Sequence, residues 1–584
     1  MENEYKNLVL GCQNCKNNFI IESEDFSFYE KIKVPPPTFC PECRKQRKLA
    51  FRNSHSLYKR KDAFSGKDIV SIYSADKDLV AIDQKTWWGD GWEPMDYAME
   101  YDFSKSFFEQ WKIFRNKFPL QSLSNSNAVN SDYCNVAEES KDCYLISASW
   151  KNERVMYSDS ITNCKDSLDL FVVHRTEFSY ENVNCTDSYK IFYCQDSSSC
   201  TDSYFLYDCI GCTDCFMSSN QRNKSYMMYN QQYSKEEYKH KFAELGLNKF
   251  SNLTKYKEEF ESLKVDSLHK FAQIISSQNV TGDNIKGAKN AKYCFDVIDG
   301  PEDSKYIFWG GMKIKDAYDC GPGIGDGELL YEAFDGAVHG SRNLFTSVVY
   351  GSRNVEYSFN CYSSSDLFGC IGLRNKQYCI LNKQYTKEEF VNLRESIIKH
   401  MHDMPYVDAK GRVYRYGEFF PIELSPFAYN ETVALDYYPL TKEEILESGY
   451  AWKDKENRDY VPTVTAINLP DDIKEVEDTV IKEVIECMHK GGCQDRCTTA
   501  FKILPEELLF YKRFDLPLPR LCYGCRHAER LKKRNPMKLW NRTCMCEKEN
   551  HQHQGKCEVS FETSYSPERP EKVYCEKCYQ GEVY

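Results

Sequence analysis

From about residue 131 to 232, apolar and aromatic positions recur in clusters about twelve residues apart: Cys143-Tyr144, Val155-Met156, Leu168-Asp169-Leu170, Phe178, Tyr189, Tyr204, Cys215-Phe216 and Tyr226. Asn, Asp, Ser, Cys and Gly separate them, as in NVNCTDSYKIFYCQDSSSCTDSYFLYDCIGCTDC. Short strands bounded by turn residues at such even spacing predict stacked coils of a parallel β-solenoid. Two strands per coil would give a coil of roughly 23 residues. A β-sandwich of hairpins is the competing architecture, but its regular Asn-Gly or Asp-Gly turns are missing. A second run of the same texture covers about 279 to 383, through Tyr293, Tyr306, Tyr318, Leu330, Phe345, Val355, Leu367 and Tyr378.

The two runs are copies at an offset of 152 residues: RNKSYMMYNQQYSKEEY, ending at Tyr238, matches RNKQYCILNKQYTKEEF, ending at Phe390. Each then meets a capping box, Ser234 with Glu237 and Thr386 with Glu389, that predicts a helix closing the open strand edge. A third capping box pairs Thr441 with Glu444. Cysteines inside the runs read as small interior residues, because Cys212 and Cys215 are replaced by Ser364 and Leu367 in the duplicate. Cys209, Cys212 and Cys215 are the one trio in the runs that could hold a metal. Asp187, Asp202, Asp208 and Asp214 read as corner residues.

Outside the runs the cysteines form a different pattern. Cys12-x2-Cys15 precedes Cys40-x2-Cys43 by 24 residues, and Cys493-x3-Cys497 precedes Cys522-x2-Cys525 by the same 24, at an offset of 482. Four thiolates in two close pairs suit a closed tetrahedral zinc site. The duplication extends to Phe19, Phe28, Tyr29 and Pro35 against Phe501, Phe510, Tyr511 and Pro517. Such small modules need a metal staple because they bury little surface. A third group closes the chain: Cys575-x2-Cys578, with Cys544 and Cys546 as the preferred second pair and Cys557, His551 and His553 as substitutes. Two to three zinc ions are expected in all.

The net charge of -12 argues against a chain coated with nucleic acid. Yet each ribbon is followed by a basic stretch: Arg44, Lys45, Arg47 and Lys48 after the first, and Arg530, Lys532, Lys533 and Arg534 after the second. These could meet phosphates electrostatically, with little sequence specificity, or simply face solvent. Trp87, Trp88 and Trp92 could stack on sugars or bases, though packing is the plainer reading. The N-terminal MENEYKNLVLGC is too short and polar for a signal peptide, and no stretch reaches the ~20 apolar residues of a membrane span. With 28 cysteines, free thiols and metal sites fit a reducing cytoplasm.

The expected fold is mainly β with α: two parallel β-solenoid halves flanked by small zinc-ribbon modules and helical connectors. The divisions are a ribbon with basic tail (1–61), a Trp-rich connector (62–123), the first solenoid (124–238), a helical linker (239–278), the second solenoid (279–390), a mixed connector (391–486), the second ribbon with basic tail (487–542) and a C-terminal zinc-binding segment (543–584). In this order, with its FAYNET segment and terminal VYCEKCYQGEVY, nearly the whole chain resembles a family of uncharacterised zinc-ribbon, cysteine-rich repeat proteins from uncultured bacteria with small genomes. The resemblance implies zinc and architecture but no activity. A CaiB/BaiF-type CoA-transferase label carried by some relatives finds no α/β core or placed Asp nucleophile here.

Two function classes follow. One is a non-enzymatic zinc-binding scaffold whose basic ribbons dock nucleic acid or a protein partner, with no small-molecule substrate and no membrane. The other is a carbohydrate-active enzyme of β-helix type, with Asp296, Asp299, Asp316, Asp319, Asp326 and His339 as its acidic cluster. Fold analogy alone is a weak warrant for the second.

Overall fold

The computed structural model describes residues 6–455, 461–493, 495–548, 551 and 553–584. It is mixed α/β, with more strand than helix and several parallel sheets. Two compact units emerge, each assembled from separated segments. One comprises Met1–Ser124, Ala272–Asp454 and Met537–Leu539; the other comprises Asn125–Phe271, Lys455–Pro536 and Trp540–Tyr584. The N-terminal cysteine module therefore belongs with the second repeat run. The second cysteine module and the C-terminal segment belong with the first.

In the first run every third residue from Asn127 to Tyr229 has a left-handed backbone, with φ between +45° and +59° at the non-glycine positions. L-residues avoid this region, and Asn and Asp tolerate it best. That explains the recurring Asp187, Asp202, Asp208 and Asp214, all of which are left-handed here. Parallel ladders connect residues twelve apart: Val129, Lys141, Glu153 and Lys165 on one, and Asp132, Tyr144, Met156 and Leu168 on the next. Asn135, Ser147 and Asp159 follow on a third, and Glu138, Trp150 and Thr162 on a fourth. The pairing register is thus twelve residues, which corrects the expected coil of roughly 23.

The residues that directly follow the left-handed ones form the interior. Every third residue from Cys134 to Ser218 is buried, and most are small. Buried polar groups must be paired, and the pairing follows the same register. Ser158 Oγ donates to the Met156 carbonyl at 2.9 Å and accepts from the Leu170 amide at 2.9 Å. Thiols do likewise: Cys185, Cys194, Cys200, Cys209 and Cys215 donate to the carbonyl two residues earlier at 3.3 to 3.4 Å.

The second run is less regular, with parallel partners eleven to fourteen residues apart, as in Gln278 with Lys289, Lys315 with Glu328 and Gly310 with Ile324. Glycine absorbs the irregularity. At Gly282 (φ +134°) a Cβ would fall 1.7 Å from the Cys294 carbonyl oxygen, so no other residue fits. Both runs end alike, in a tight antiparallel turn followed by a capped helix. The Ser234 amide donates to Glu237 Oε2 at 2.9 Å ahead of helix Lys235–Ala243, and Thr386 does the same with Glu389 ahead of helix Lys387–Asp403. The Trp-rich connector is packed: Trp87 is fully buried, and the Arg374 guanidinium lies 4.4 and 4.7 Å from the Trp87 and Trp88 rings.

Candidate metal centres

Three cysteine groups share one local construction. Each takes two thiols from the loop that joins the strands of an antiparallel hairpin and two from the start of a helix. In the first, hairpin Leu8–Gly11 with Asn18–Ile21 carries Cys12 and Cys15, while Cys40 caps helix Pro41–Leu49 and Cys43 sits in its first turn. In the second, Ile485–Glu486 with Ala500–Phe501 carries Cys487 and Cys497, and Cys522 caps helix Tyr523–Lys532, which contains Cys525. In the third, Trp540–Thr543 with Ser560–Thr563 carries Cys544 and Cys557, and Cys575 caps helix Glu576–Val583, which contains Cys578. The capping cysteines have nearly identical dihedrals, with φ -66°, -66° and -65°. In each group the capping amide donates to the first hairpin sulfur: Cys40 to Cys12 at 3.3 Å, Cys522 to Cys487 at 3.3 Å and Cys575 to Cys544 at 3.2 Å.

The four sulfurs of each group lie within 4.8 Å of one another. Contacts of 3.7 Å between Cys15 and Cys40, 3.6 Å between Cys522 and Cys525, and 4.0 Å between Cys557 and Cys575 match the edge of about 3.8 Å of a tetrahedron with 2.3 Å metal–sulfur bonds. The donor sets can therefore hold metal ions and are compatible with zinc. Helix N-termini and directed amides favour thiolates. Hydrogen bonds from Cys40 and Cys43 hold Cys12 far below the ordinary thiol range, and the same pairing pushes Cys40 up to about 12. A cation is what allows all four to ionise together.

This arrangement corrects two expected ligand sets. Cys487, unremarked in the sequence, takes the place expected for Cys493. The hairpin identifies it, because Cys487 follows one arm as Cys12 does, and the intervening loop is longer than any familiar knuckle. Cys493 remains close, 3.6 Å from Cys525, and forms a three-residue set with Cys525 and His489. At the C-terminus Cys557, kept as a substitute, joins Cys544, Cys575 and Cys578. The preferred Cys546 instead groups with His551, His553 and Cys578.

The basic stretches do not form exposed faces. Arg44 meets Asp319 at 2.8 Å, Arg47 meets Glu332 at 2.8 Å and Glu418 at 3.1 Å, Lys48 donates to the Asp319 carbonyl, and Lys45 donates to the Met537 carbonyl at 2.8 Å. All four side chains are buried. In the other unit Arg526 and Arg530 meet Asp169 at 3.1 and 2.7 Å, and Arg534 bonds Asn184 at 2.8 Å. Burial lowers half-buried Lys533 to about 8. Lys532 is exposed and pairs with Asp495 at 3.0 Å. Asp169, Asn184, Asp319 and Glu332 all occupy left-handed positions of the runs. The basic helices therefore pair with left-handed positions of the runs.

The acidic cluster expected of an enzyme is dispersed over separate partners. Asp296, Asp299, Asp316, Asp319, Asp326 and His339 are each left-handed positions. Asp319 is taken by Arg44, Asp316 by Lys31, and Asp296 by Trp309 and Asn284. Asp326 and His339 do meet, at 2.7 Å, in an open groove of about 750 Å³ lined also by Lys315, Glu328 and Arg353. No helix among the described residues is long and apolar enough to cross a membrane. No family model matches the chain, and no curated protein matches it.

Proposed function

We propose that this protein is a zinc-stapled, non-enzymatic scaffold. The three four-cysteine groups, each with sulfurs within 4.8 Å, carry that reading. Soft thiolates in tetrahedral sets select zinc over harder cations, and the hairpin-and-helix modules are too small to fold without it. The four ladders of each twelve-residue register are the sides of a solenoid, whose left-handed residues are its corners. The zinc modules fix basic helices onto those corners, so the exposed sides of the solenoid are left to meet a protein partner in a reducing compartment. Nucleic acid is the weaker partner, because Arg44, Lys45, Arg47, Lys48 and Arg530 are buried, the three arginines in ion pairs.

Elemental analysis of the purified chain tests the metal. At least three zinc ions per chain are expected, and fewer than one would overturn the reading. Partner capture from a native host, with the same capture by chelated protein as control, tests the scaffold role.

A further inference from the structure

Cys546, His551, His553 and Cys578 hold their donor atoms within 4.8 Å of one another, and Cys578 also belongs to the group of Cys544, Cys557 and Cys575. We infer that the C-terminal segment binds two zinc ions bridged by the Cys578 thiolate. The inference rests on the zinc reading of the four-cysteine group and adds a second ion to it.

Both histidines are oriented as ligands. His551 turns Nδ1 toward Cys546 Sγ at 3.0 Å and sets Nε2 3.1 Å from Glu582 Oε1. His553 turns Nε2 toward Cys578 Sγ at 3.4 Å, while its Nδ1–H donates to the Gly555 carbonyl at 2.8 Å. His553 thus has one ring nitrogen facing sulfur and the other held by an oxygen acceptor, as metal-bound imidazoles do, while His551 Nε2 lies near Glu582 without a hydrogen bond. Gly581 makes room: a Cβ there would lie 3.2 Å from His551 Nε2. The Cys557 amide, donating to the Cys546 carbonyl at 2.9 Å, ties the two sets together.

Charge favours the second ion. Cys546 is fully buried yet stands outside the four-cysteine group. A second dication would let Cys546 bind as a thiolate in this buried site, where an unpaired thiolate would be costly. Two dications against five thiolates leave a single net negative charge over the cluster. Each zinc gains a tetrahedral shell, S4 for one and S2N2 for the other.

Native mass spectrometry of the full chain with zinc counting tests this. Wild type is expected to carry four zinc ions, and a His551→Ala/His553→Ala variant three. Zinc–zinc scattering at about 3.5 Å in X-ray absorption, set by two 2.3 Å bonds to one sulfur, is expected in wild type and lost in the variant. Three zinc ions in both proteins, without that scattering, would overturn the bridged site while leaving the zinc scaffold standing. A chain with no zinc would fail both. Should the variant not fold, the scattering and the count of four in wild type decide alone.

Discussion

In the first unit Arg44, Arg47 and Arg52 meet Asp319, Glu332 and Asp335 one for one, and Glu418 gives Arg47 a second acceptor. In the second unit Arg526 and Arg530 converge on Asp169, Glu507 stands 3.9 Å from Arg526, and Arg534 bonds Asn184. The helices are equivalent; the positions they meet are not. Three or four residues of helix rise about 4.5 to 6 Å, close to the 4.8 Å between neighbouring parallel strands. One face of a helix can therefore address successive rungs with basic residues three or four apart. The first unit pairs its arginines with separate carboxylates, and the second shares Asp169 between two of them. Their metal loops differ in the same sense: Cys12 and Cys15 sit on a short knuckle, while Cys487 and Cys497 bracket a loop holding His489 and Cys493.

The largest expected effect separates those loops. Cys487→Ser should remove one zinc and unfold the second unit's hairpin module, since structural zinc contributes on the order of 10 kcal/mol. Cys493→Ser should keep the zinc count and the thermal transition of wild type. Equal losses from both, in zinc counting and calorimetry, would return Cys493 to the ligand set.

Next comes the shared carboxylate. Asp169→Ala removes the carboxylate that two buried guanidiniums share and should cost about 3–5 kcal/mol. Asp335→Ala, which strips one arginine in the unit with separate pairs, should cost less; urea midpoints of the two variants rank them.

A pH effect is expected from His269 in the second unit. His269 is buried; its Nδ1 accepts from Tyr207 and Tyr565 hydroxyls at 2.8 and 3.0 Å, and its Nε2–H donates to the Lys264 carbonyl at 2.8 Å. Burial lowers it to about 4 from 6.5. The unfolded chain thus takes up the proton first. Stability from this group is complete above pH 6.5 and falls as pH drops toward 4, by on the order of 3 kcal/mol. His269→Gln should flatten that slope in unfolding measurements between pH 7 and 4.

The smallest effect should be the same in both units. Val136 and Val348 stand at left-handed positions, φ +53° and +55°, where β-branched residues are strained. Replacing either by Asn should stabilise its unit by about 1 kcal/mol, read as a rise in thermal midpoint. A fall at one site alone would show that the two runs do not share their corner geometry.

Much of this was legible in the chain. The twelve-residue spacing, the capping boxes at Ser234 and Thr386 and the duplicated helix-start cysteines are local patterns, and local patterns survive folding. What misled was count and distance. Clusters every twelve residues suggest two strands per coil, because the left-handed residue between extended pairs leaves no hydrophobic signature of its own. Cys487 was missed because its partner lies across a loop whose length varies freely when a hairpin holds both ends. Arg44, Arg47 and Arg530 read as surface charge, since their acceptors lie hundreds of residues away.

By itself the sequence determined the repeats, the thiol pairs at helix starts and the residues able to take left-handed corners, all of which depend on neighbours along the chain. Only tertiary structure decided that the N-terminal module joins the second run and the other module the first. It also decided that Cys578 serves two donor sets and that the basic helices face inward. Those outcomes depend on which carboxylate each buried guanidinium meets. Electrostatic pairing in a low-dielectric interior acts between residues near in space, whatever their separation in sequence.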